Sequence, residues 1–316
     1  MATKKKSNTK ATSKKRTSKK AAPKQKKNTK KKIQKKVHKR LNYSTLIIIT
    51  IAIITFFYLN SRDNRDSIEE VMKQESQEIN QGDLLDGKEL AYYYPTADLT
   101  NGGIVEHLAY SFDYNEDHEQ ADWVFYELTK SEVLNQKVLR KDNFSQDPST
   151  TISSALPTDY YKSGYDRGHL CPAADNKWSA QAMDQSFYMS NMTPQHPDLN
   201  RKIWAELEKK VREWAVANEK VYVATGPILA DGFKHKIGKS QVSVPNYYYK
   251  VVADLTGDEI KGVGFIFTNS ENNGQLKYYA FPIDMIEERT NIDFFPKLDE
   301  EVQKQIETEF NIEEWF

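Results

Sequence analysis

The segment from Tyr165 to Asp175, with the sequence YDRGHLCPAAD, combines residue types that suit phosphate chemistry. Arg167 carries a planar guanidinium that binds anions through two parallel hydrogen bonds, and His169 can accept or donate a proton near neutral pH. Residues two apart on an extended strand point to the same side, so both side chains could face one substrate. Gly168 between them would let a backbone approach closely.

A helix further along the chain carries a second group of polar candidates. Apolar residues at every fourth position predict this helix, and they are Leu199, Ile203, Leu207, Val211 and Ala215. Asn200, Glu208 and Arg212 lie off that apolar stripe and share one polar flank of the helix. An Asn carbonyl is a hard oxygen ligand that suits Mg²⁺, which keeps most of its waters. The residues therefore indicate an Asn that could reach the strand of Arg167, on a helix with Asp198 as its N-cap.

The chain from Glu89 onwards has mixed α and β character, which indicates an α+β fold. Aromatic and β-branched runs separated by polar turns predict the strands. The predicted elements are a hairpin of Ile104–Tyr114 and Ala121–Leu128, strands at Val221–Thr225 (ended by Gly226-Pro227), Tyr247–Leu255, Gly262–Thr268 and Tyr278–Phe281, and a last helix from Asp299 to about Glu309. A single cysteine, Cys171, excludes an internal disulfide and a multi-cysteine zinc site.

Charge is divided unevenly along the chain. Residues 1–40 contain 19 Lys or Arg and no acidic residue, which leaves 26 of the 45 basic residues and all 45 acidic residues for the rest. So polar a segment cannot bury enough apolar surface to offset its ordering entropy, and residues 1–40 are interpreted as a disordered Lys-rich tail. Three functions compete for it: a nuclear-localisation or DNA-binding arm, a contact with anionic lipid, and a topogenic signal.

An uncharged stretch follows the tail and favours the last two functions. Leu41–Leu59 carries no charge over 19 residues, close to the roughly 20 apolar residues that span a bilayer, and no small-residue cleavage site follows it. Residues 41–60 are therefore predicted to form a single transmembrane helix rather than a buried core helix. The positive-inside rule predicts a cytoplasmic N-terminus and an extracytoplasmic C-terminal part, with residues 61–88 as an acidic stalk and residues 89–316 as the folded domain.

Three strings occur in order along the chain: YDRGHLCPAAD, SNMTPQ and DLNRKIWAELE. In this order and spacing they resemble the DNA/RNA non-specific endonuclease family, which includes the Serratia-type nucleases and endonuclease G. The resemblance covers roughly Leu90–Leu298. It implies a ββα-metal (His-Me finger) core with a central antiparallel sheet flanked by helices. It also implies DNA and RNA as substrates, Mg²⁺ as cofactor with Mn²⁺ as an alternative, and allows a homodimer.

The resemblance implies roles in proton transfer and metal binding. His169 would be the general base that activates water, and Asn191 would orient His169 or the substrate. Asn200 would be the single direct protein ligand of Mg²⁺. Glu208 would hold the metal through its bound waters.

The resemblance also implies that three arginines bind phosphate. Arg167 and Arg212 would hold phosphate groups and stabilise the transition state, and Arg140 would be a further phosphate-binding residue. Without the resemblance, Glu208 and Arg212 could form an ordinary i,i+4 salt bridge. Asp166 is interpreted as a residue that braces the loop.

The residues and the resemblance together predict a membrane-anchored, Mg²⁺-dependent, non-specific endonuclease. Water activated by His169 would attack phosphorus while the metal stabilises the leaving oxygen, so activity should fall at acid pH. The alternative is a catalytically weak nucleic-acid-binding or uptake protein that uses the nuclease fold. The other histidines are interpreted as structural; they are His38, His107, His118, His196 and His235.

Overall fold

The computed structural model describes residues 89–96, 103–149, 154–257 and 259–316. The predicted tail, transmembrane helix and stalk, at residues 1–40, 41–60 and 61–88, lie outside these ranges. Within the described ranges, no helix has both the length and the apolar character needed to cross a membrane.

Nine strands and five α-helices make up the described domain. In chain order the strands are β1 (Ile104–Glu106), β2 (Ser111–Asn115), β3 (Gln120–Thr129), β4 (Asp166–His169), β5 (Met192–Gln195), β6 (Lys220–Ile237), β7 (Val242–Asp254), β8 (Lys261–Thr268) and β9 (Ala280–Phe281). The helices are α1 (Lys130–Leu134), α2 (Ala180–Gln185), α3 (Trp204–Ala217), α4 (Ile283–Thr290) and α5 (Glu300–Glu307). Seven strands form one antiparallel sheet in the order β1-β2-β3-β6-β7-β8-β9, and β4 pairs with β5 separately.

The predicted hairpin is present, but its first strand is divided into β1 and β2. The chain turns between them, because the backbone N–H of His107 donates to the Tyr110 carbonyl at 2.8 Å. The predicted last helix is confirmed as α5, which ends at Glu307. Helices α1, α2 and α4 were not predicted.

Three other strand predictions were wrong in extent, and one of them is Tyr247–Leu255, since β7 already begins at Val242. The strand expected to end at Gly226-Pro227 continues as β6, whose pairing with β7 runs past both residues. Gly226 fits because it has no side chain: a Cβ there would lie 2.2 Å from the carbonyl oxygen of Asp122. Of the strand predicted at Tyr278–Phe281, only β9 is extended, because the preceding residues form a 3₁₀ turn.

Side chains that alternate along the strands build two cores, one on each face of the sheet. Successive residues of Val221–Ala224 on β6 belong in turn to one core and to the other. Helix α3 covers the first face, where Leu207 and Val211 of its predicted apolar stripe are buried. Helices α4 and α5 cover the opposite face through Ile286 and Ile306.

The chain enters α3 through a π-helical turn at Leu199–Ile203. Asp198, predicted as the N-cap, makes no capping hydrogen bond, because its own backbone is already helical with φ −71° and ψ −32°. Its carboxylate pairs instead with Lys202 at 2.6 Å. Turns of π-helix are frequent at functional sites, and this one carries Asn200.

Candidate active site

The pairing of β4 with β5 brings together two of the three sequence strings. His169 lies opposite Met192 in the antiparallel register. A Cβ at Gly168 would lie 2.2 Å from Oε1 of Gln195. A side chain at this position would displace Gln195, so the group that approaches Gly168 is a side chain rather than a backbone.

The ring of His169 is buried, with 7% of the residue exposed. Its Nε2 has no hydrogen-bond partner among the described residues. Phe187 and Phe144 pack against the ring with centroid distances of 5.0 Å and 6.0 Å. Burial, together with the positive charges of Arg140 and Arg167, lowers the pKa of His169 to about 3. The imidazole is therefore neutral at physiological pH, and the fold leaves Nε2 unused.

Two arginines stack on the phenylalanine rings that contact His169. The Cζ atom of Arg167 lies 3.9 Å from the ring centre of Phe144, and that of Arg140 lies 5.1 Å from the ring centre of Phe187. The two phenylalanines pack edge to face at 5.0 Å. This stacking holds both guanidiniums beside the histidine, as the sequence predicted for Arg167.

Asn191 braces the chain that follows His169. Its buried side chain accepts a hydrogen bond from the N–H of Cys171 at 2.8 Å and donates to the carbonyls of Cys171 and Ser186 at 2.9 Å and 2.8 Å. All of these bonds go to the backbone. Asn191 is therefore a positioning residue, and it acts on the histidine through the chain rather than through the ring.

Asn200 lies beside β4, where its side chain forms a hydrogen bond with Asp166. Its Nδ2 donates to Oδ2 of Asp166 at 2.9 Å, and Arg201 donates to the same carboxylate at 2.7 Å and 2.6 Å. Burial alone would raise the pKa of Asp166, but the hydrogen bonds from Arg201 and Asn200 lower it below its ordinary value. With Nδ2 engaged, Oδ1 of Asn200 accepts no hydrogen bond within the described domain and is available to a hard cation such as Mg²⁺.

The half-buried Glu208 and Arg212 belong to a charge network that also contains the buried Asp175 and Lys250. Arg212 donates from Nη1 to Oδ1 of Asp175 at 2.7 Å. Among the described residues its ion pair is thus with Asp175, and the i,i+4 salt bridge to Glu208 is not formed. Burial raises the pKa of Glu208, while the positive charges of Lys250 and Arg212 oppose the rise. The network therefore holds a carboxylate that can take up or release a proton close to neutral pH.

Lys250 is a member of the charge network that sequence reasoning missed. It is fully buried on β7, with Nζ 3.4 Å from the Leu170 carbonyl and 4.7 Å from the ring centre of Trp204. Burial lowers its pKa, which the charge of Glu208 partly offsets. A single lysine inside the apolar strand VPNYYYKVV was the available signal, since a charge at such a position needs a partner.

The other residues that the sequence did not indicate are Asp175, Phe144, Phe187 and Gln195. Asp175 closes the YDRGHLCPAAD string and could have been found there. The two phenylalanines meet because the backbone N–H of Ser145 donates to the Phe187 carbonyl at 3.3 Å. Only this long-range contact brings them to the histidine, so no local pattern could have shown it.

The DNA/RNA non-specific endonuclease family model matches residues 91–301 of the chain. The chain belongs to this family. Human mitochondrial endonuclease G is 34% identical over 203 residues, which cover 60% of this chain and 68% of the human protein. A nuclease of Nostoc sp. is 32% identical over 211 residues, covering 63% of this chain and 75% of that protein. The crystal structure of the EndoG/EndoGI complex superposes with a TM-score of 0.61 at 31% identity, covering 69% of this chain and 92% of that one.

Family membership confirms the resemblance on which the sequence prediction rested. This nuclease hydrolyses phosphodiester bonds, and its family depends on a metal. The mixed α/β domain with its central antiparallel sheet matches the core of the EndoG structure. The residue roles stay predictions, to which the geometry above adds distances, burial and charge.

Proposed function

We propose that this nuclease is a non-specific endonuclease that cuts DNA and RNA with Mg²⁺, or Mn²⁺ as an alternative, and uses His169 as its general base. One observation carries the proposal: Nε2 of His169 is buried, unprotonated at physiological pH and without a partner among the described residues. It lies beside Arg140 and Arg167, which suit the phosphate groups of a nucleic acid.

In the proposed reaction, water attacks phosphorus opposite the leaving 3′ oxygen while Nε2 of His169 takes its proton. General-base transfer of this kind contributes about 10²–10⁴ in rate. Arg140 and Arg167 bind the phosphate oxygens, and their charges keep the imidazole neutral until it receives the proton. Asn191 holds the following backbone, so the ring stays oriented.

The residues present fit a hard divalent cation. Oδ1 of Asn200 would hold the metal directly, and Glu208 would accept hydrogen bonds from its water ligands. When bound, the metal neutralises charge that develops on the phosphate and on the leaving oxygen. Arg212, whose Nη1 is engaged by Asp175, has further N–H groups that can bind phosphate.

The test is cleavage of supercoiled plasmid DNA and of single-stranded RNA by the full-length protein in Mg²⁺ and in EDTA. We expect cleavage of both substrates in Mg²⁺, none in EDTA, and a large loss in His169→Ala. His235→Ala is the matched control, because His235 is exposed on β6. Failure of the unmutated protein to cleave, with binding retained, would instead support the catalytically weak binding or uptake protein, which the 19 basic residues of the tail favour.

The proposal includes a single-pass membrane anchor at residues 41–60, with the N-terminus cytoplasmic and the nuclease domain extracytoplasmic. Its support is the uncharged run Leu41–Leu59 directly after the basic tail. Protease added to intact cells should digest the nuclease domain and spare an N-terminal tag; protection of the domain would contradict this topology.

A homodimer stays a prediction, which the mass of the purified protein by light scattering would test.

A further inference from the structure

Three carboxylates converge between α4 and α5, on the face of the sheet opposite α3. Asp284 and Glu287 lie one turn apart on α4, and Glu307 is the last residue of α5. One oxygen of each lies within 4.8 Å of an oxygen of the other two. These three residues are called the α4–α5 cluster below.

Glu307 distinguishes this cluster from an ordinary acidic surface. Only 7% of the residue is exposed. Its Oε1 is shielded from solvent and has no hydrogen-bond partner among the described residues. A buried carboxylate without a donor is strongly unfavourable unless a cation or a proton neutralises it, so this oxygen points to a missing positive group.

The described part of the chain supplies no such group. No Lys, Arg or His in the described ranges forms an ion pair with any member of the α4–α5 cluster. Asp284 accepts a hydrogen bond from Thr308 at 2.8 Å, and Glu287 accepts one from the N–H of Phe294 at 2.7 Å. Both donors are neutral, so three negative charges remain when all three carboxylates are ionised.

Two glycines on β8 allow the helices to come this close. A Cβ at Gly262 would lie 2.0 Å from the Ile306 carbonyl oxygen, and one at Gly264 would lie 2.6 Å from Cγ1 of Ile286. Both helices therefore pack directly on the same strand. Glu307, which follows Ile306, is buried beside α4 as a result.

The electrostatics of the cluster agree with this geometry. Burial and the charges of Asp293 and Asp284 raise the pKa of Glu287 to about 7. Burial and the charges of Glu287, Asp284 and Asp293 raise the pKa of Glu307 to about 8.

We propose that Asp284, Glu287 and Glu307 bind a Ca²⁺ ion that joins α4 to α5. Oxygens bound to one Ca²⁺ at about 2.3–2.6 Å lie at most about 5 Å apart, and the three oxygens are within 4.8 Å of one another. A donor set made only of carboxylates favours a hard cation over zinc or copper. Ca²⁺ accepts the irregular geometry of ligands from two helices, whereas Mg²⁺ demands a near-ideal octahedron. The ion stabilises the fold and takes no part in cleavage.

The test is the melting temperature of the full-length protein in detergent, in an Asn200→Ala background that removes the proposed Mg²⁺ ligand. Ca²⁺ added after EDTA treatment, at about a hundredfold excess over its Kd, should raise Tm by about 5–10 °C. Glu307→Gln and the half-buried Asp284→Asn should each abolish the rise. Glu300→Gln, an exposed substitution on the same helix, should keep it.

Calorimetric titration with CaCl₂ supplies the direct measurement, with one site per chain expected in Asn200→Ala and none after the further change Asp284→Asn. A Tm that does not respond to Ca²⁺ overturns the proposal, and so does a rise that both cluster variants retain. A Tm that rises on acidification but ignores Ca²⁺ assigns the cluster to proton sharing and overturns it equally. Circular dichroism at low temperature verifies that each variant is folded before it is compared.

Discussion

Two groups of buried and half-buried carboxylates lie on opposite faces of one sheet and differ in how their charges are neutralised. In the charge network beside α3, Asp175 pairs with Arg212 at 2.7 Å. The positive charges of Arg212 and the buried Lys250 stabilise the ionised form of Glu208. In the α4–α5 cluster, no cationic side chain of the described domain pairs with any member. The negative charges of the first group are balanced by cationic side chains of the protein. Those of the second group depend on protons or cations from the solution.

This difference shows how one fold can use carboxylates for two purposes. The protein's own cations keep the charge network in place without a metal, so Glu208 is already positioned beside the metal site that is proposed at Asn200. The α4–α5 cluster has no internal balance, so its stability follows the Ca²⁺ and proton concentrations. Removing a residue from the first group should therefore affect catalysis and intrinsic stability. Removing one from the second should affect only the response to ions.

The largest expected effect is the loss of the base. His169→Ala should lower the rate of DNA cleavage by about 10³-fold, because proton transfer from water is lost. Initial rates on plasmid DNA measure this, with His235→Ala as the control that keeps its activity. The same variant should retain the full Ca²⁺-dependent rise in Tm, because the cluster lies on the other face. A rate within threefold of the unmutated protein would reject His169 as the base.

The second-largest expected effect is a loss of stability when a positive charge is removed from the charge network. Lys250→Met keeps the volume of the side chain but leaves Glu208 and Asp175 with one cation, which should lower the free energy of unfolding by about 3 kcal/mol. Urea denaturation at pH 8 measures it. Lys277→Met, on an exposed turn, should change the same quantity by less than about 0.5 kcal/mol. Equal effects of the two substitutions would show that the network is not balanced by Lys250.

Removal of the proposed metal ligand comes third. Asn200→Ala should lower cleavage at fixed Mg²⁺ by about 10²-fold, because the metal stabilises transition-state charge and each factor of ten corresponds to about 1.4 kcal/mol. Asn273→Ala, at an exposed loop position, is the control. The loss should be partly recovered at higher Mg²⁺ if weakened binding is its cause. Unchanged Mg²⁺ dependence in Asn200→Ala would remove Asn200 from the metal site.

The α4–α5 cluster should make stability depend on pH in the absence of Ca²⁺. The folded-state pKa values of Glu287 and Glu307, about 7 and about 8, exceed their ordinary value of 4.5, so the folded state holds more protons than the unfolded state at pH 5–8. The free energy of unfolding in EDTA should therefore decrease as pH rises across this range. Glu307→Gln should remove about 2 kcal/mol of the decrease. A decrease that this variant keeps in full would contradict the pKa assignment.

The smallest expected effect is the fall in cleavage rate at acid pH. A pKa of about 3 keeps His169 neutral down to pH 5, so its protonation does not explain a loss of activity there, contrary to the sequence-based expectation. Burial raises the pKa of Glu208 to about 7, and its protonated form no longer accepts hydrogen bonds as a carboxylate. We expect cleavage to fall about tenfold per pH unit below 7, with higher Mg²⁺ moving the fall to lower pH. If the pH at which the cleavage rate falls does not change with Mg²⁺ concentration, Glu208 is excluded as the cause.

The sequence predicted the strand and the helical region that carry the candidate site, because both are local elements. The string DRGH forms β4, and the apolar stripe from Leu199 to Ala215 forms the buried side of the helical region, since both depend on residue type and short-range period. The ends of the strands were predicted less well. Gly226-Pro227 has the composition of a turn, yet β6 passes through it, because pairing with β7 outweighs local preference.

What the sequence alone determined is the order along the chain of the residue types that suit phosphate chemistry: a histidine predicted as base, arginines, and an asparagine predicted as hard-oxygen ligand. The tertiary structure decided which charges balance each other, because Lys250 and Asp175 meet Glu208 only through sheet and helix packing. It also decided that Glu307 is buried beside α4 without a cationic partner in the described domain, since that depends on glycines of β8 and no local pattern marks it. Electrostatic environment is a property of neighbours in space, and the chain order does not contain it.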